Sequence, residues 1–125
     1  MTKTILVVDD DQSINSIFEF VLQQAGYYTI TTTAGQDCID IIKSDQPVDL
    51  VFLDLKMPGI SGIDTFKEIQ KLRPMLLVIM MTGYSVDELL RDAFELGAYG
   101  VIYKPFDVEE VLSVIEKIFR LPALS

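Results

Sequence analysis

The sequence has no histidine, no tryptophan and one cysteine, and its 10 basic residues are outnumbered by 19 acidic ones. Each scarcity closes a class of function. With no His, and with Cys38 alone, there is no Cys/His set for zinc and no internal disulfide, so a metal site has to be built from oxygen. A formal net charge of -9 without a basic run argues against nucleic acid or an anionic membrane as partner, because phosphate contacts need clustered Lys and Arg. A protein or a cation is the expected partner. No apolar run approaches the ~18 residues of a membrane span. Met1 to Asp10 lacks the charged, apolar, small succession of a signal peptide, so the expected location is the cytoplasm. Cys38 shares a helical face with Ala34, Ile41 and Ile42 and reads as a small buried hydrophobe rather than a redox thiol.

The 125 residues fit one domain with a single core. Four short, nearly continuous apolar runs, Thr4 to Val8, Leu50 to Leu53, Leu76 to Met81 and Gly100 to Tyr103, predict parallel strands covered on both faces. Tyr27 to Thr32 alternates weakly and predicts an edge strand. Between them the period turns helical. Ile14, Ile17, Phe18, Val21, Leu22 and Ala25 form one stripe, closed by Gly26 where a left-handed cap is expected. Further helices fit Gln36–Ser44, Ile63–Leu72, Val86–Leu96 and Val108–Phe119, with Gly97 and Pro74 as stops. Five β-α repeats predict right-handed crossovers and a doubly wound α/β sheet with helices on both faces. The expected domain is 1–120, with 121–125 as a tail or linker stump.

In such a sheet ligands bind beyond the carboxyl ends of the strands. Polar residues collect there: Asp9-Asp10-Asp11 after the first strand, Asp54 at the end of the third, Thr82-Gly83 after the fourth, Lys104-Pro105 after the fifth. Singly each has a plain structural reading. Asp11 can cap the first helix, Met57-Pro58-Gly59 can be an ordinary turn, and Thr82 can merely end a strand. Jointly, clustered carboxylates repel one another unless a cation relieves them. Hard oxygen ligands suit Mg²⁺, which keeps several waters and co-binds phosphoryl oxygens. Lys104 and Thr82 supply a mobile positive charge and a hydroxyl donor where a transferred phosphoryl group develops charge.

With these residues in view, the chain resembles the receiver domain of two-component response regulators. The resemblance rests on Asp9-Asp10, Asp54, the Lys56-Met57-Pro58-Gly59 turn with Gly62, Thr82-Gly83 and Lys104-Pro105-Phe106, and runs from Thr4 through the last helix. It implies a flavodoxin-like fold of strand order 2-1-3-4-5 and transfer of a phosphoryl group from a histidine kinase or histidine phosphotransfer protein. Asp54 would be the phosphoacceptor. Asp10 would bind Mg²⁺ directly and Asp9 through water, with Asp54 and the Lys56 backbone carbonyl completing the protein ligands. Thr82 would contact a phosphoryl oxygen, Lys104 would pair with Asp54 or its phosphoryl group, and the Lys104-Pro105 bond would be cis. The family often places an aromatic ring three residues before this lysine, and here the position is Val101. Lys56 and Tyr84 would crowd the path of an attacking water and prolong the phosphorylated state.

The partner surface expected for a homodimer or effector comprises the Val86–Leu96 helix, the fifth strand and the Val108–Phe119 helix. There Val114, Ile118 and Leu121 form an apolar line beside the core stripe, a line that reads more readily as peripheral core than as an interface. The rival reading is a haloacid-dehalogenase-like phosphohydrolase with Asp9 as nucleophile, since Asp9-Asp10-Asp11-Gln12-Ser13 approaches a D-x-D-x-T/V loop. A flavin carrier and a phosphorylation-independent binding module fit less well: three aspartates would repel a flavin phosphate, and the acceptor set is intact. Whether the domain acts alone, as a relay intermediate, or as the receiver of a larger regulator is left open.

Overall fold

In the computed structural model the described residues are 2–83, 91 and 94–120. Strands β1 (Thr4–Val8), β2 (Tyr28–Thr32), β3 (Leu50–Asp54), β4 (Leu77–Thr82) and β5 (Gly100–Tyr103) form one parallel sheet of order β2-β1-β3-β4-β5. This is the predicted order. The helices are α1 (Gln12–Gln24), α2 (Gly35–Lys43), α3 (Gly62–Leu72) and the C-terminal α4 (Val108–Arg120). The predicted helix Val86–Leu96 lies mostly outside the described residues; Arg91, Phe94 and Glu95 are helical, and Gly97 follows at φ 106°. Among the described residues no helix is long and apolar enough to cross a membrane.

The continuous apolar strands are explained by two-sided burial. Leu6, Val8, Val51, Leu53, Val78 and Met80 pack toward α2 and α3 with Cys38, Ile42, Phe66 and Ile69. Ile5, Val7, Leu50, Phe52, Ile79, Met81 and Ile102 pack toward α1 and α4 with Phe18, Leu22, Val111 and Ile115. Phe18 sits at the centre of the second layer, its ring 5.0 Å from Phe52 and 5.4 Å from Phe106. Cys38 is fully buried as expected, and burial pushes its thiol up to about 12.

Two details differ from the sequence reading, and a third settles an alternative it weighed. Gly26, at φ 93°, donates to the Gln23 carbonyl and Tyr27 donates to the Leu22 carbonyl at 2.9 Å, a paired closure that needs a left-handed residue. Tyr27 is thereby used up in ending α1, and β2 starts one residue later. Ile17 is 48% exposed, whereas Asn15 is buried with Phe18 and Leu22. The face turned to the sheet is the 15-18-22 row, and Ile17 falls at its margin. Ile118 is 6% exposed and belongs to the core under α4, with Val114 partly buried beside it, so for these two residues the peripheral-core reading holds. Leu121 lies outside the described residues.

Candidate functional site

The site sits where β1, β3, β4 and β5 leave the sheet at their carboxyl ends. Beyond β1, Asp9 is fully buried: its amide still donates to the Thr32 carbonyl at 3.2 Å, continuing the β1–β2 ladder by one rung. The chain then turns. Asp11 caps α1 by accepting from the Ser13 amide at 2.9 Å, so the structural reading of this third aspartate holds. Asp10, between them, is exposed.

Asp54 is the last residue of β3 and 5% exposed. Behind it α3 starts so close that a Cβ on Gly62 would lie 2.3 Å from the Asp54 carbonyl oxygen, which restricts that position to glycine. Ser61 caps α3 by accepting from the Asp64 amide at 3.1 Å. Thr82, buried at the end of β4, accepts the Lys104 amide on its carbonyl at 2.7 Å, and the Lys104-Pro105 peptide is cis, as expected.

These placements bring Asp9, Asp10 and Asp54 together, with one carboxylate oxygen from each lying within 4.8 Å of the others. The Lys104 ammonium stands 2.6 Å from Asp9 Oδ2 and 3.4 Å from Asp54 Oδ2. The other oxygens of these two residues accept main-chain donors, Asp9 Oδ1 from Asp11 at 2.9 Å and Asp54 Oδ1 from Lys56 at 3.2 Å. Lys104 is thus shared, and it leans toward Asp9, whereas the sequence reading paired it with Asp54.

Burial and then the nearby Asp9 charge raise the Asp54 carboxyl to about 6, although Lys104 and the Lys56 amide pull the other way. Burial disfavours the Lys104 ammonium, but the contact with Asp9 and the charges of Asp54 and Asp9 outweigh it and hold its pKa above the usual lysine value. Three carboxylates against one ammonium leave a surplus of hard oxygen donors, which is what a small divalent cation needs. The residues therefore fit the metal that the sequence pattern implies.

Sequence reasoning missed Asn15. Its Nδ2 donates to the Asp9 carbonyl at 2.9 Å and to the Thr32 carbonyl at 3.0 Å. The available signal was its phase, three residues before Phe18 and seven before Leu22. Val101 is half-buried against the α2/α3 core layer, while Tyr99 and Tyr103 are about half exposed. Lys56 is exposed next to Asp54, and Tyr84 lies outside the described residues.

A doubly wound sheet with an acid cluster and a lysine at its carboxyl edge defines a class, and sequence comparison agrees: the chain belongs to the response regulator receiver domain family, whose description matches residues 5–116. Among individual proteins it is 35% identical to sporulation initiation phosphotransferase F of Bacillus subtilis, over 97% of both chains. It is 36% identical to the DNA-binding transcriptional regulator NtrC of Escherichia coli over 89% of this chain, which corresponds to 24% of that protein. A receiver domain from Methanospirillum hungatei superposes with a TM-score of 0.90 at 29% identity, covering 94% of this chain and 93% of the other. Neither the family match nor these relatives support the phosphohydrolase reading. The chain is a signalling receiver domain.

Proposed function

We propose that Asp54 accepts a phosphoryl group from a phosphohistidine of a kinase or phosphotransfer protein. The observation that carries this is the convergence of Asp9, Asp10 and Asp54 at the carboxyl edge of the sheet, with one ammonium shared between Asp9 and Asp54. An Asp54 carboxylate oxygen attacks phosphorus, a P–O bond forms as the P–N bond breaks, and the imidazole leaves with the electron pair. Main-chain donation from Lys56 fixes one Asp54 oxygen and leaves the other facing Lys104. Lys104 then follows the charge onto the phosphoryl oxygens, and the Thr82 hydroxyl binds another. Asp9, Asp10, Asp54 and the Lys56 carbonyl would hold Mg²⁺, which supplies charge neutralisation between the carboxylate and the incoming phosphoryl group.

The same site would take phosphoryl groups from a small donor such as acetyl phosphate and lose them slowly to water, with exposed Lys56 crowding the approach. The receiver would span 1–120, with 121–125 as a tail or linker, in a cytoplasmic setting. Similarity over 97% of the sporulation phosphotransferase supports a relay role, in which the domain passes its phosphoryl group on. A homodimer or effector contact would use β5 and the helices flanking it. Intact mass spectrometry with acetyl phosphate tests the chemistry. Wild type should gain one phosphoryl mass with Mg²⁺ and none with chelator, and Asp54→Asn should gain none; equal labelling of the variant rejects Asp54 as acceptor.

A further inference from the structure

We infer that Asn15 is a positioning residue for the metal-binding turn, because it bonds the chain on both sides of Asp10. Its side chain donates to the Asp9 carbonyl at 2.9 Å, and its own amide donates to the Asp11 carbonyl at 3.3 Å. Asp10 needs such support. Asp9 and Asp54 are each held by a main-chain donor and by Lys104, whereas among the described residues no hydrogen bond or ion pair reaches the Asp10 carboxylate. Where that carboxylate points is therefore set by the backbone of residues 9–11, and Asn15 holds that backbone at both ends.

The same carboxamide also bonds the Thr32 carbonyl at 3.0 Å, which already accepts the Asp9 amide. Asn15 thus stands in for the ladder rung that β1 gives up on leaving the sheet, and the turn can break away without an orphaned carbonyl. Asn15 is 1% exposed, and its Oδ1 has no partner among the described residues. A buried carboxamide with an idle acceptor is costly in an apolar layer. What the side chain contributes is its pair of donors aimed at the turn, without which the buried Asp9 carbonyl loses its side-chain partner.

The inference rests on the Mg²⁺ reading of the site, and its test separates the two. Mg²⁺ is titrated into the unphosphorylated full chain while the Asp10 backbone amide and the Asn15 side-chain amide are followed by ¹⁵N NMR. Urea midpoints are measured in chelator. Asn15→Leu should weaken Mg²⁺ binding about tenfold, the usual cost of losing a group that orients a ligand, and its chelator midpoint should fall as well, because the buried Asp9 carbonyl loses its donor. Leu22→Val, on the same buried face of α1, should lower the midpoint and leave Mg²⁺ affinity unchanged. A folded Asn15→Leu with wild-type affinity overturns the inference, as does an equal weakening in Leu22→Val. Should Asn15→Leu not fold, the wild-type spectra decide: the Asn15 side-chain amide must shift with the same Mg²⁺ midpoint as Asp10, and an unmoved side chain overturns the role. A wild-type chain whose Asp9, Asp10 and Asp54 signals ignore Mg²⁺ removes the metal reading and this inference together.

Discussion

At the amino end of the sheet, Asp49 accepts the Thr4 amide at 2.7 Å, and the Arg73 guanidinium donates to the Ile42 and Ser44 carbonyls at 3.1 and 2.9 Å. At the carboxyl end, Asp9, Asp10 and Asp54 cluster, with a single ammonium that pairs with Asp9 and Asp54 but not with Asp10, and Asp54 is pushed up to about 6. At the first edge each charge answers a backbone group that would otherwise go unpaired. At the second, carboxylates outnumber what the fold can satisfy. Charge that serves the structure is matched locally; charge left in surplus marks where a ligand completes the set.

Removing charge at the two edges should therefore have opposite consequences. Arg73→Met strips the end of α2 of two charge-assisted hydrogen bonds and should cost about 2 kcal/mol in urea denaturation, with Mg²⁺ binding unaltered. A loss of Mg²⁺ affinity in that variant would break the division between the edges.

Asp54→Asn should stabilise the chain in chelator. The folded state holds the Asp54 proton more tightly than the unfolded chain, so wild-type stability falls as pH rises from the usual 3.8 to about 6. Above that window the variant should gain about 1–2 kcal/mol after allowance for solvent screening. Its advantage should be smaller at pH 4.5 than at pH 7.5, and Mg²⁺ should narrow it at pH 7.5. A pH-independent difference would show that Asp54 is not strained by its neighbours.

Asp11 sharpens the comparison, because it lies at the carboxyl edge yet serves the fold. Asp11→Ala removes the α1 cap and should cost about 1 kcal/mol, leaving the Mg²⁺ dissociation constant where it was. A Mg²⁺ defect as large as that of Asp10→Ala would move Asp11 into the site.

The strands were legible because two-sided burial writes them as unbroken apolar runs, and the site because each run ends in a residue that cannot follow it into the core. Asp9, Asp54, Thr82 and Lys104 are all of that kind. What could not be read follows from two further facts. Side-chain phase within a helix is blurred when apolar residues exceed the buried arc, so the apolar stripe takes in Ile17, which is half exposed, and passes over Asn15, which is buried. Distances across the sheet depend on register, which apolar runs do not encode. That Lys104 stands nearer Asp9 than Asp54 needed the β4–β5 pairing of Thr82 with Tyr103 and the closing bond from the Lys104 amide.

Where α2 and α3 begin, a Cβ on Gly35 would fall 2.3 Å from the Thr65 hydroxyl oxygen. In mechanical terms, α2 and α3 meet there with no compliant layer between them. Most helix pairs are separated by side chains that can change rotamer and absorb a small shift, but here the first turn of α2 rests directly on Thr65, which is itself tied to the Ser61 carbonyl at 2.8 Å. The two helices are in direct contact at that point. The start of α3 lies one step behind Asp54, so this close contact sets α2 directly against the element that backs the acid cluster.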